Sequence, residues 1–270
     1  MASLVHTAEP HRSNLPGLEA MTLSSNHHFP RHSHDQFGLG IVRFGVHRSW
    51  SAVGQVEAVA GDVILCNPGE IHDGTTIDGQ VRGWQIAYVD PSLMNRAVEE
   101  EIRGELEIVR AVAQDRLLWS HVLRLFASLT QAAPDPLELE ENLLHAIAGI
   151  LQRHASRRPR RDNSPSPSVA IALQRLDAAI DQSVSIRELA TLAGVSRFQL
   201  LRAFRSETGI TPHAYLMQRR VSAARRLLAA GEMPAQAAAA AGFADQSHMT
   251  RAFVRYVGVT PARYQAAFIY

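Results

Sequence analysis

The sequence of 270 residues contains no lysine and a single cysteine, Cys66. One cysteine excludes an internal disulfide, so we interpret Cys66 as a small core residue. No apolar run approaches the roughly 20 residues that a membrane-spanning helix needs. The first 26 residues also lack the apolar segment of a signal peptide. We therefore expect a cytoplasmic protein without a membrane partner.

Acidic and basic residues are distributed unevenly, although the net charge is only +1. Residues 1–152 carry a net charge of −9, whereas residues 153–167 carry +4 and residues 168–270 carry +6. The length predicts two domains. The contrast in charge indicates that the C-terminal domain is the one that contacts nucleic acid.

One pattern occurs twice in the basic C-terminal region. Arg202-Ala-Phe and Arg251-Ala-Phe lie 49 positions apart, and a glycine, a proline and a tyrosine follow each of them at the same offset. Each copy predicts a helix, a turn at Gly194 or Gly242, and a second helix, over residues 185–207 and 233–256. A repeated unit of this form is typical of a DNA-binding helix-turn-helix.

The second helix of such a unit enters the major groove and presents one face to the bases. Two apolar residues in each copy face inward at helical spacing: Leu200, Phe204, Met249 and Phe253. On the outer face, arginine can read guanine, glutamine can read adenine, and a methyl or apolar group can contact thymine. The candidate DNA-binding residues are Phe198, Leu201, Arg202, Arg205, Gln246, Ser247, Thr250 and Arg251.

Residues 168–268 resemble the C-terminal domain of the AraC/XylS family of bacterial transcription regulators. The resemblance lies in Ala193-Gly-Val-Ser196, Ala241-Gly-Phe243, Gln246-Ser-His248, Arg251-Ala-Phe253, and Gly258-Val-Thr-Pro261 with Tyr264. It implies two units that are joined by a long helix and read successive major-groove segments of promoter DNA. It also implies base-reading positions at Phe198, Leu201 and Arg202, and at Gln246, Ser247, Thr250 and Arg251.

The N-terminal region divides into segments that differ in composition and in the pattern of apolar residues. Residues 1–25 are interpreted as a flexible arm, and residues 26–91 contain short apolar runs between glycine and proline turns, which favours a small β-barrel or sandwich. Residues 92–155 show helical periodicity. These helices either pack on the β domain or form a dimer interface. Residues 156–167, rich in proline, serine and arginine, predict a linker to the DNA-binding domain at 168–270.

Two stretches, Arg31–His34 and Gly61–His72, resemble the two motifs of the cupin β-barrel. In cupin enzymes three histidines and a glutamate hold a metal; here His32, His34 and His72 match the histidines, and the carboxylate position falls near Gly38. A three-imidazole site stays open, but an organic ligand is favoured, and we expect no metal and no cofactor. The candidate ligand-binding residues are Arg31, His34, Trp50, Glu70, His72 and Trp84.

These patterns together predict a multidomain β + α protein, with an N-terminal cupin-like β-barrel, following helices, and a C-terminal all-α double helix-turn-helix. We expect a ligand-responsive, sequence-specific transcription regulator without enzymatic activity. Its expected partners are double-stranded promoter DNA, a small-molecule effector, a second copy in a homodimer, and RNA polymerase. The alternatives are a metal-dependent cupin enzyme with an accessory nucleic-acid module, and an architectural nucleic-acid binder without a sensor role.

Overall fold

A computed structural model describes residues 5–11, 13–51, 54–98, 106–131, 134–156 and 165–268. Contacts divide the chain into two units: Met1–Phe29 with Ser33–Arg161, and Asp162–Tyr270 with Pro30–His32. None of the helices in the described ranges is long and apolar enough to cross a membrane.

The β-strands lie in the N-terminal part of the described chain. They are β1 (His6–His11), β2 (Leu18–Ser25), β3 (Phe29–His32), β4 (Phe37–Phe44), β5 (Val46–Ser51), β6 (Gly54–Val59), β7 (Val63–Cys66), β8 (His72–Gly74), β9 (Arg82–Val89), β10 (Glu107–Ile108), β11 (Val112–Ala113) and β12 (Ala155–Ser156). The helices of this part are α1 (Pro91–Val98), α2 (Arg116–Leu129) and α3 (Pro136–Arg153). This sheet-rich organisation is the one that the sequence predicts.

The largest sheet has six strands in the order β1-β2-β9-β4-β7-β11. Strand β9 lies inside it and pairs antiparallel with both β2 and β4. Because side chains alternate across a strand, Ala87 and Val89 face the apolar core that α2 and α3 complete. Trp84, Ile86 and Tyr88 lie on the opposite face. Two shorter ladders, β3-β8 and β5-β6, accompany this sheet.

Two segments differ from the expectations. The flexible arm predicted for residues 1–25 contains strands β1 and β2, because alternating burial along β2 places Leu18 and Ala20 in the core and β9 supplies a full-length partner. The helix predicted after residue 92 is interrupted, because β-branched Val112 pairs in β11 with Ile64 of β7. Residues 157–164 of the predicted linker lie outside the described residues.

The C-terminal unit is helical and follows the predicted repeat. Its helices are α4 (Pro167–Ala178), α5 (Ile186–Leu192), α6 (Arg197–Thr208), α7 (Pro212–Ala229), α8 (Pro234–Ala240), α9 (Gln246–Val257) and α10 (Pro261–Phe268). Helices α5 and α6 form the first helix-turn-helix, α8 and α9 form the second, and α7 joins them. Gly194 and Gly242 adopt positive φ angles of 66° and 80° in the two turns, a conformation that only glycine adopts without strain.

One carboxylate links the start of α2 to the end of α3. Asp115 accepts hydrogen bonds from the backbone N–H groups of Leu117 and Leu118, at 3.0 and 2.9 Å, and so caps α2. Its Oδ2 also accepts from Arg153 Nε at 2.6 Å and from His154 Nε2 at 2.7 Å. Burial alone would raise the pKa of the Asp115 carboxyl, but these hydrogen bonds outweigh burial and hold its pKa well below the usual value.

Replacement of Asp115 by Ala removes the cap and the link between the helices together. We expect a loss of about 2–3 kcal/mol in the free energy of unfolding, measured by urea denaturation at pH 7. Because the pKa of Asp115 is lower in the folded state, its stabilising contribution is present above about pH 4 and is lost as the pH falls below that value. Equal acid sensitivity of the wild type and Asp115→Asn would contradict this role.

The two turn glycines provide a matched pair of substitutions. A Cβ at Gly194 meets nothing within 4 Å, whereas a Cβ at Gly242 collides with Cα of Asp181 and lies 2.8 Å from the carbonyl oxygen of Ile180. Gly194→Ala should therefore cost about 1–2 kcal/mol from backbone strain alone. Gly242→Ala should cost about 2–5 kcal/mol, since overpacking adds to the strain. Urea denaturation followed by circular dichroism compares the two variants, and equal losses would refute the packing argument.

Candidate DNA-reading helices and effector site

Side-chain caps fix the starting point of both outer helices. At α6, Ser196 and Gln199 form a reciprocal capping box, in which each side chain bonds the backbone N–H of the other residue. At α9, the Asp245 carboxylate accepts from the backbone N–H of His248 at 2.6 Å. The first turn of each helix, which reaches furthest into a major groove, is therefore held in a defined conformation.

Equivalent aromatic contacts anchor the inner faces of the two helices. Phe204 of α6 and Phe253 of α9 are fully buried. Phe204 meets Tyr215 edge-on at 6.0 Å between ring centroids, and Phe253 meets Tyr264 in the same way at 5.3 Å. Each aromatic pair therefore anchors its helix in the domain core and turns the opposite face of that helix outward.

The predicted base-reading residues lie on these outer faces. On α6, Phe198 is 83% exposed and Leu201 is 39% exposed, an unusual exposure for large apolar side chains. Six of the predicted residues are exposed or half-buried and polar: Arg202, Arg205, Gln246, Ser247, Thr250 and Arg251. The Thr250 hydroxyl bonds the Gln246 carbonyl oxygen at 2.8 Å, so its methyl is the group that remains for an apolar contact.

The face of β9 that lies opposite the helical core carries two groups of aromatic and polar side chains, one around Tyr88 and the other around Trp84. His34 lies 5.0 Å from His72 and 4.8 Å from Tyr88, measured between ring centroids. Trp84 lies 5.2 Å from His47 and 6.0 Å from Phe29, on the same basis. An apolar and aromatic surface with a few polar groups has the character of a small-molecule site.

Arg82 is fully buried beside Trp84 and carries the positive charge of the second group. Its guanidinium lies 4.9 Å from the Trp84 ring centroid. Nε donates to His47 Nδ1 at 3.1 Å, and the terminal nitrogens donate to the carbonyl oxygens of Ser25 and His27. Burial lowers the pKa of Arg82 to about 10. Burial, with Arg82 and His72 nearby, lowers the pKa of His47 to about 3, so His47 is neutral at physiological pH.

The structure brings some of the predicted ligand-binding residues together and separates others. His34 and His72 belong to the first group, and Trp84 belongs to the second. Glu70 instead accepts hydrogen bonds from the backbone and side chain of Asn67, both at 3.0 Å, and so braces its own loop. Trp50 lies three residues beyond His47 on β5 and thus on the opposite face of that strand. The side chain of Arg31 is exposed.

Tyr88, His47 and Arg82 were not among the predicted site residues. Tyr88 could have been found, since it lies four residues after Trp84 and so on the same face of the strand. His47 has no motif around it in the sequence. Its contact with Arg82 joins residues 35 positions apart, and no local pattern reveals it.

Both the N-terminal and the C-terminal regions match known protein families. Residues 16–147 match the AraC-like ligand binding domain, and residues 189–267 match a helix-turn-helix domain. The chain is 33% identical over 231 residues to the HTH-type transcriptional regulator YbfI of Bacillus subtilis, which covers 82% of this chain and 81% of YbfI.

Solved structures of ToxT from Vibrio cholerae share the fold along the whole chain. An apo variant of ToxT superposes with a TM-score of 0.57 at 14% identity and covers 96% of this chain and 100% of that one. Wild-type ToxT with bound unsaturated fatty acid superposes with a TM-score of 0.53 at 13% identity, over 99% and 96% of the two chains. From its two matched domains and its relatives, we conclude that the chain belongs to the AraC family of transcription regulators and is not an enzyme.

Proposed function

We propose that this regulator reads promoter DNA with the outer faces of α6 and α9. The observation that carries the proposal is the equivalence of Arg202 and Arg251, which occupy the same position in two capped helices and are both exposed. Among the described residues no acidic side chain forms an ion pair with either of them. Their guanidinium groups therefore have the geometry and charge to read guanine.

The other outer residues are proposed to complete the reading surface. Phe198, Leu201 and the methyl of Thr250 suit thymine methyl groups, and Gln246 suits adenine. Ser247 and Arg205 flank these positions and serve base edges or phosphates. An outer face that combines arginine, amide and exposed apolar groups favours sequence-specific binding over general affinity for phosphate.

We propose that the effector binds on the face of β9 opposite the helical core, against His34, His72, Trp84, Tyr88, His47 and Arg82. ToxT has been crystallised with an unsaturated fatty acid, so organic acids are one class to test, and Arg82 supplies a buried cation for an acidic group. Effector binding shifts the population of states that differ in affinity for DNA. Arg31, Trp50 and Glu70 are not among the proposed effector contacts.

A homodimer is proposed through α3. Leu137 and Leu144 lie seven residues apart on this helix, hence on one face, and are 65% and 42% exposed. A dimer would cover them and would present two double helix-turn-helix domains to DNA. We also propose that the regulator contacts RNA polymerase and acts in the cytoplasm, where a bacterial promoter lies.

Arg202→Ala and Arg251→Ala should each weaken binding to the preferred DNA by about 1–3 kcal/mol and relax the preference at one base pair. The reason is the loss of a two-bond contact with guanine. Fluorescence anisotropy on a panel of single-base variants measures both effects. Arg263→Ala, an exposed arginine on α10, is the matched control and should leave base preference unchanged. Equal weakening on every sequence would assign Arg202 or Arg251 to phosphate instead.

Substitution of two tryptophans distinguishes the proposed effector site at Trp84 from the opposite face of β5, where Trp50 lies. A thermal-shift screen of the full chain against sugars, amino acids and fatty acids should find a compound that raises the melting temperature. Trp84→Phe should weaken its binding by about 1 kcal/mol, because part of the aromatic contact is lost, whereas Trp50→Phe should not. A stronger effect of Trp50→Phe would place the site on the other face of β5.

A further inference from the structure

The core of the first helix-turn-helix extends to α4 and to the loop of residues 179–184 that follows it. Leu176 of α4 is buried in one cluster with Leu200 and Phe204 of α6. Ile180 and Val184 of the loop pack against the same cluster. The 179–184 loop is therefore a part of the first helix-turn-helix unit, and its position is fixed relative to the outer helix α6.

Arg220, in the middle of α7, holds this loop by its backbone. Nε of Arg220 donates to the carbonyl oxygen of Ile180 at 2.7 Å, and a terminal nitrogen donates to that of Gln182 at 3.0 Å. Because the planar guanidinium presents its donors in a rigid fork, the two bonds fix the orientation of the loop as well as its distance from α7. Burial lowers the pKa of Arg220, and the Asp181 carboxylate opposes this shift, so the guanidinium stays charged at neutral pH.

The turn of the second helix-turn-helix meets the same loop at the same point. A Cβ at Gly242 would collide with Cα of Asp181, and would lie 2.8 Å from the carbonyl oxygen of Ile180 and 3.1 Å from Nε of Arg220. The backbone of Gly242 therefore packs directly on the loop that Arg220 holds. At the equivalent Gly194 no described atom lies within 4 Å of such a Cβ, so this close approach belongs to the second unit.

The two helix-turn-helix units are consequently connected in two places. Helix α7 joins them along the chain, and the packing of Gly242 on the 179–184 loop joins them through space. A single connecting helix leaves the two units free to bend and rotate about its ends, whereas a second contact away from those ends restricts both movements. Arg220 lies where the two connections meet, because it projects from α7 and bonds the loop.

We infer that Arg220, the 179–184 loop and Gly242 form a joint that sets the spacing between the two DNA elements bound by α6 and α9. Arg220 is a positioning residue in this arrangement, because it acts on DNA through the orientation of the two units. The effect on DNA spacing rests on the proposed function. The orientation of the units is a property of the free protein and is measured separately.

The distance between the outer helices in the free protein is the first test. Nitroxide labels on Ser206→Cys in α6 and Val254→Cys in α9, both exposed positions, report this distance by double electron–electron resonance in a Cys66→Ala background. We expect one narrow distance distribution when Arg220 is present and a broader one in Arg220→Met. Arg226→Met, the matched control, removes an exposed arginine of α7 that bonds Ser222 on the same helix, and should leave the width unchanged. Equal widths in all three chains would overturn the inference.

The second test is binding to DNA in which the spacing of the two elements is changed. One inserted base pair separates the elements by about 3.4 Å and rotates one of them by about 34°. By fluorescence anisotropy the wild type should lose about 10-fold in affinity, comparable to the loss of one base contact. Arg220→Met should lose less than about 3-fold on insertion, because a relaxed joint adapts to the new spacing. Arg220→Lys, which keeps the charge, should fall between the two.

Single-base changes within each element, measured in parallel, separate the joint from the proposed function. Equal insertion penalties in the wild type and Arg220→Met, with both elements still read, would overturn the joint and leave the reading of DNA intact. If single-base changes in one element have no effect on the wild type, reading by that helix fails, and the distance distributions still decide the joint. Circular dichroism checks the fold of each variant, and Arg220→Lys decides both tests if Arg220→Met does not fold.

Discussion

The alternation of side chains along β9 is the constraint on which the N-terminal domain depends. One face of the strand contributes Ala87 and Val89 to the core that α2 and α3 cover. The other face presents Trp84 and Tyr88 to the histidines and to Arg82. Pairing with β2 and β4 on both sides fixes this register, and a shift by one residue would exchange the two faces. The same strand thereby stabilises the domain and builds its candidate site.

The two DNA-reading units are similar in form but unequal in local support. Ser185 caps α5 through the backbone N–H of Glu188, whereas Met233, at the same position before α8, makes no side-chain cap. Helix α8 compensates by burying Ala237 and Ala238 completely, and Gly242 allows its turn to approach the backbone near Asp181. The second unit depends more on close backbone packing and the first more on caps.

The sequence predicted those parts of the fold that local chemistry determines. The turn glycines and the 49-residue repeat located both helix-turn-helix units, and short apolar runs indicated the β-strands within residues 26–91. The first strands were missed because β1 is polar and is stabilised by its partner β2. The buried position of Arg82 has no local signal, because it results from contacts with residues 25, 27 and 47. Trp50 and Trp84 could not be distinguished until strand register was known.

We expect the two unequal units of one chain to read DNA sequence together. Selection of bound sequences from a pool of random double-stranded DNA by the purified full chain tests it most directly. We expect enrichment of two short elements whose centres are separated by about one helical turn, roughly 10–10.5 base pairs. Enrichment of a single element, or recovery of a pool without sequence preference, would contradict it.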